Sequence, residues 1–177
     1  MTKGNPDNSQ TGLQLTIGTS SASLSTSQVG GGLGGLYQAR QELAPLQNEI
    51  GQLAVALADA MNQQNSQGMT LNNQLGGDIF TLPTSQGLAN ANNGGTGAIS
   101  VSFIPGKGSN VSANDFEVKF TSATDFEVYR LDGNSKTLLT NGSTPPNQFP
   151  LEDYGIQLDI SGTPAAGDSI VLQPTRN

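Results

Sequence analysis

From Leu36 to about Gln64 the apolar residues fall into heptads, with Leu36, Leu43, Ile50 and Leu57 at one position and Ala39, Leu46, Leu53 and Ala60 at the other. That spacing makes the seam of a coiled-coil-type helix. Such a helix is about 43 Å long at ~1.5 Å per residue, too long for a small domain to bury its whole stripe. The sequence offers no second long amphipathic segment, so the stripe must meet another chain, a part of the protein outside this sequence, or the β unit that follows. Pro45 lies inside the pattern, where it removes the hydrogen bond to the carbonyl of Gln41, and a kink is expected there. Upstream, Gly30, Gly31, Gly32, Gly34 and Gly35 read as a hinge or tight turn. Downstream, QQNSQG ends the helix, and MTLNNQLGGDIF reads as an irregular connection with Ile79 and Phe80 as apolar anchors.

Beyond Pro83 the period changes from 3.6 to 2, which marks a second structural unit. Candidate strands are 98–104, 116–120, 126–131, 137–139, 156–160 and 169–172, separated by turn-rich segments such as LDGNSK, TNGSTPPN and SGTPAAGDS. DFEVKF and DFEVYR, four residues apart, read as a hairpin that puts Phe116, Val118, Phe120, Phe126 and Val128 on one face. With Phe103, these residues are the expected core of a small sandwich or barrel.

At the other end, residues 1–12 are polar and expected to be disordered or foreign to the natural chain. Leu13, Leu15 and Ile17 then alternate with Gln14 and Thr16 in a short strand pattern, followed by a Ser/Thr tract from Ser20 to Ser27. The expectation is an α+β chain in three parts: the polar start 1–12, a core-side helical domain over 13–82 and an outward all-β domain over 83–177.

Composition narrows the chemistry. With no His and no Cys among 177 residues, the chain lacks the usual acid-base group near neutral pH, the thiol nucleophile and the two best zinc ligands. It cannot form a disulfide. Fourteen acidic residues against seven basic ones give a net charge of -7, and the basic residues are scattered, so nucleic acid is repelled. No stretch is apolar for the ~18 to 20 residues that span a bilayer, and MTKGNPDNSQ lacks the basic-then-apolar pattern of a cleaved signal. No membrane partner and no cofactor, metal or small-molecule ligand is expected.

Three patterns could be mistaken for sites. Asp115, Glu117, Asp125 and Glu127 lie near one another on the hairpin, but they occupy strand starts and its solvent face, with Lys119 close by. Asp132-Gly133-Asn134 resembles the opening of a calcium loop, yet the glycine is misplaced and Ser143 stands where a bidentate Glu is required. The run GGGLGG has no Lys-Ser/Thr after it and no nucleotide-binding strand before it. No catalytic residue is assigned, and the chain is not expected to be an enzyme.

The run SQVGGGLGGLYQARQELAPLQNEIGQLAVALADAMNQQNSQGMTLNNQLGGDIFTL resembles the flagellar hook-associated proteins that join hook to filament, in the glycine-rich turn, the QLA-centred helix, the Asn-x-Gln ending and the GGDIF close. NDFEVKFTSATDFEVYRL and GTPAAGDSIVLQPTRN are similar to that family's inserted β domain and closing strand. Asn65, where the family commonly carries His, and Thr70, where it commonly carries an acidic residue, depart from the pattern. The resemblance implies a structural subunit exported through the flagellar secretion channel and assembled outside the cell. Its implied partners are copies of itself, the hook protein and the next junction protein, and the chain would lack both family termini. Leu36, Leu43, Leu46, Ile50, Leu53 and Leu57 would then carry helix packing, and Ile50→Asp would unfold the helix or abolish assembly. The alternative is a surface-exposed adhesin or carbohydrate-binding β module on a helical stalk, for which Tyr37, Tyr129 and Tyr154, without Trp, offer few stacking surfaces.

Overall fold

A computed structural model describes residues 2–3, 6, 11–24, 29–69, 71–133 and 135–176. Thr70 and Asn134 lie outside the described residues, as do the side chains of Leu13 and Tyr37. The chain is α+β, and its described residues form one long helix and strands in three antiparallel sheets. At the start, β1 (Thr2–Lys3), β2 (Thr11–Ile17) and β3 (Ser20–Leu24) form a three-stranded sheet in that order. The turn at Gly18, with φ of +62°, lets Ile17 pair with Ser20. One stretch left without a structure gains one here, and one expectation changes. The Ser/Thr tract supplies β3, because Ser and Thr side chains fit a pleated surface once a turn supplies the register. Within the polar start, Thr2–Lys3 is paired to Thr11 and Gly12, since a strand edge accepts backbone partners whatever their side chains.

The helix α1 runs from Gly31 to Ser66, 36 residues, five residues longer at its start than the heptads indicate. Gly30, in an extended conformation, is its N-cap. The expected turn is made at Gly30 and Gly31, the latter with φ of +68°, while Gly32, Gly34 and Gly35 lie inside the helix and do not break it. A helical glycine costs only about 1 kcal/mol relative to Ala, and at Gly34 a Cβ would lie 2.0 Å from the Val29 carbonyl oxygen, so the close approach needs glycine. Pro45 lies within the helix, which continues through it. At the other end Gln67 and Gly68 donate their N–H groups to the carbonyls of Gln63 and Asn65.

The remaining strands form a two-sheet sandwich. One sheet has the order β10 (Gln148–Leu151), β11 (Ile156–Ser161), β6 (Ala98–Phe103) and β4 (Ser85–Gln86). The other runs β5 (Leu88–Ala89), β12 (Ser169–Leu172), β7 (Asp115–Phe120), β8 (Asp125–Asp132) and β9 (Ser135–Ser143). The first strand crosses from sheet to sheet at Gly87, where a Cβ would meet the side chains of Ile170 and Leu172 at 2.5 and 2.8 Å. The hairpin β7–β8 pairs Phe120 with Phe126 and Val118 with Val128, and every second residue turns inward. Phe116, Val118, Phe120, Phe126 and Val128 are buried together with Ile99, Leu158 and Ile170. Phe103 is half-buried and packs against this cluster. Three strands escaped the period-2 reading: β4 and β5 have two residues each, and β10 contains Pro150. The segment TNGSTPPN, read as a turn, gives its first four residues to β9.

A two-faced helix as candidate assembly surface

One face of α1 docks on the β sandwich, and that face is mostly polar. Asn48, Gln52, Val55, Asp59 and Asn62 recur at spacings of three and four, so they share one side of the helix. The Asn48 amide donates to the Ala113 carbonyl (2.9 Å) and to Asp115 (3.0 Å), and that of Gln52 to the Val111 carbonyl (2.7 Å). The Asp59 carboxylate accepts the backbone N–H groups of Gly106 (2.9 Å) and Gly108 (2.8 Å), holding the loop that enters the short 3-10 turn Gly108–Asn110. Asn62 accepts the N–H groups of Ile79 (2.9 Å) and Phe80 (2.8 Å) and donates to the Phe80 carbonyl (2.7 Å). One turn on, Asn65 donates to the Gly77 carbonyl (2.6 Å). Only Val55, 7% exposed, is apolar and buried in this row. The side chains thus read backbone groups that would otherwise be unpaired under the helix, with Val55 adding one buried apolar contact.

Ile79 and Phe80, expected as apolar anchors, are held by their backbone: both side chains remain more than 40% exposed. The chain beyond β12 also crosses the helix. Arg176 pairs with Asp115, and the Thr175 carbonyl lies so close to Gly51 that a Cβ there would sit 1.9 Å from its oxygen.

The heptad stripe is displaced by two residues from the docking row, about 200° around a helix of 3.6 residues per turn. It therefore faces away from the sandwich. Leu36, Leu43, Leu46, Ile50, Leu53 and Leu57 are between 51% (Leu46) and 73% (Leu36) exposed. Of the covers left open by sequence, the β unit is excluded, because it occupies the opposite face. A continuous row of six large aliphatic residues in water is the mark of an interaction surface. No single sequence signal identified the docking row, since Asn, Gln and Asp on a helix read as a solvated face.

The acidic residues of the hairpin do not converge on a shared site. Asp115 is engaged by Asn48 and Arg176, Glu117 by Lys136, and Asp125 by the Ser122 hydroxyl (2.8 Å). The Tyr129 hydroxyl donates to Glu127 (2.6 Å), and this bond, with burial and the negative charge nearby, raises the pKa of the phenol. Among the described residues, no three Asp or Glu side chains are placed to hold a metal ion, and no helix is long and apolar enough to cross a membrane.

Comparison with known proteins matches residues 1–80 to the flagellar hook-associated protein FlgK helical domain and residues 88–174 to the flagellar hook-associated protein 1 D2-like domain. Flagellar hook-associated protein 1 of Escherichia coli K12 is 34% identical over 145 residues, which is 81% of this chain and 25% of that protein. The Salmonella typhimurium protein of the same name is 31% identical over 148 residues, 83% of this chain and 26% of that protein. The flagellar hook junction protein FlgK from Burkholderia pseudomallei superposes with a TM-score of 0.68 at 30% identity, covering 89% of this chain and 28% of that one. The chain spans about a quarter of the length of the curated relatives it matches. The reading as an adhesin or carbohydrate-binding module finds no support among these relatives.

Proposed function

Because this chain belongs to the flagellar hook-associated protein family, we propose that it is part of a structural subunit at the junction of hook and filament, exported through the flagellar secretion channel and assembled outside the cell. The observation that carries the reading is the apolar stripe of α1, exposed along its length while the opposite face is seated on the β sandwich. In this mechanism Leu36, Leu43, Leu46, Ile50, Leu53 and Leu57 pack against helices of the same protein and of neighbouring copies, as heptad knobs do in a bundle. The sandwich, with Phe103, Phe116, Val118, Phe120, Phe126 and Val128 in or against its core, is carried outward as a rigid spacer. The hook protein and the next junction protein would be its axial neighbours, and no step of this role needs catalysis, a cofactor or a small ligand.

The test is deletion of the full-length gene followed by complementation, with motility, electron microscopy and assay of filament protein in the medium. Hooks without filaments, filament protein lost to the medium and rescue by the intact gene are the expected result. Complementation with Ile50→Asp should fail to restore filaments although the purified variant keeps wild-type circular dichroism, because Ile50 is 62% exposed. Intact filaments and normal swimming in the deletion strain would overturn the junction role.

A further inference from the structure

The helix takes no part in the core of the sandwich. Every residue of that buried cluster lies between Ile99 and Leu172, and among the described residues Val55 is the one buried apolar side chain that α1 brings to the joint. The rest of the joint is the polar row. Its partners on the sandwich, Gly106, Gly108, Val111, Ala113 and Asp115, fall in one short stretch between the end of β6 and the start of β7. That stretch is pinned to the sandwich behind it. Lys107 pairs with Glu152 (2.6 Å), the Asn110 amide donates to the Glu152 carbonyl (3.2 Å), the Ile104 N–H to the Gly155 carbonyl (2.9 Å) and the Asn114 amide to Asp132 (2.6 Å). Little apolar surface therefore crosses the plane between the helix and this stretch.

Apolar burial resists opening, whereas hydrogen bonds made by Asn, Gln and Asp can be exchanged for bonds to water at small net cost. We propose that the sandwich unlatches from α1 as a folded body, with the bonds of Asn48, Gln52 and Asp59 breaking together and Thr175 leaving Gly51 with them. The pivot is the segment 81–84, which belongs to no strand or helix and follows the clasp of Asn62 on Ile79 and Phe80. The three latch residues sit on one helix and their partners on one pinned stretch, so a single bond does not open without straining the others. Opening of this kind lies between the fraying of one bond and complete unfolding. The joint yields before either part unfolds, and the helix keeps its stripe while the sandwich moves.

Native-state hydrogen exchange reads the latch at the Gly106 and Gly108 N–H groups, which Asp59 holds, and the core at the Phe120 N–H, which the Asp168 carbonyl holds. The two glycines should open roughly a hundredfold or more above Phe120. Gln52→Ala touches neither glycine, yet should speed both by about three- to tenfold, because it removes a bond that the concerted opening must break. Ile170→Val, a methylene lost from the core, should speed Phe120 by about threefold or more and leave both glycines within about twofold. The chain has no cysteine, so spin labels at Glu49→Cys on the helix and Ala123→Cys at the β7–β8 turn report the distance across the joint. Adding Asn48→Ala, Gln52→Ala and Asp59→Ala together should broaden that distance distribution while Phe120 stays protected. Glycines that exchange as slowly as Phe120, or that ignore Gln52→Ala, would overturn the latch. So would an unchanged distance distribution in the triple variant, or loss of Phe120 protection there, since the sandwich would then need the helix to stay folded.

Discussion

Asp168 shows how much one side chain can organise. Its buried carboxylate accepts backbone N–H groups from Ala165 (2.8 Å), Gly94 (2.7 Å) and Gly95 (3.1 Å), tying the loop after β5 to the turn before β12. The bond from Ala165 holds its pKa below the ordinary carboxylate range, burial opposes this, and the two glycine N–H groups add to it. A group whose pKa is lower folded than unfolded stabilises the fold above its unfolded pKa, and that contribution disappears as pH falls through the folded value. The relevant window therefore lies below about pH 4. Asp168→Asn places an amide NH2 where N–H groups converge, so thermal melts should show a lower Tm at neutral pH and a shallower decline on acidification than the parent chain. Equal acid slopes for the two proteins would remove Asp168 from the account. Asn93 reinforces the same junction by pairing with both backbone groups of Ser169.

At the scale of the element, α1 divides its work between two faces, and single substitutions separate them. Leu53→Lys, on the 70% exposed stripe, should change the stability of this chain by no more than ~0.5 kcal/mol in urea. Val55→Lys, in the docked row, should cost about 2 kcal/mol or more. Similar losses for both would mean that the stripe is packed within the chain. The two faces were unequally legible in sequence. Leu36 to Leu57 declare themselves because apolar residues have few uses at heptad spacing, and the hairpin β7–β8 does so because Phe and Val alternate with Glu and Lys. Asn48, Gln52 and Asp59 gave no such signal, since their partners are carbonyl and N–H groups between 47 and 65 residues away. Strands β4 and β5 were too short to alternate and exist because neighbouring strands supply their pairing. The glycine cluster was legible only in part: Gly30 and Gly31 make the expected turn, but Gly32, Gly34 and Gly35 continue the long helix, which outweighs their local preference.

At the scale of the molecule, helix and sandwich are fastened at both ends of the sandwich's chain. Asn62 holds the backbone at Ile79 and Phe80 before β4, and the Thr175 carbonyl rests on Gly51 after β12. Gly51→Leu should displace that second fastening and cost roughly 1–3 kcal/mol, the usual range for overpacking, measured by urea unfolding; an unchanged midpoint would show that the crossing carries no strain when filled.

The two fastenings also lie within 11 residues of each other along the helix, from Gly51 to Asn62, a span of about 16 Å. A polypeptide that leaves and rejoins one rod at neighbouring points encloses a detour, and whatever lies on the detour leaves the rod's own path unchanged. The nine-strand sandwich is in this sense a removable cassette. Lineages could enlarge it, shrink it or exchange it for another fold whose ends meet the same gap, while the helix keeps its path and its exposed stripe.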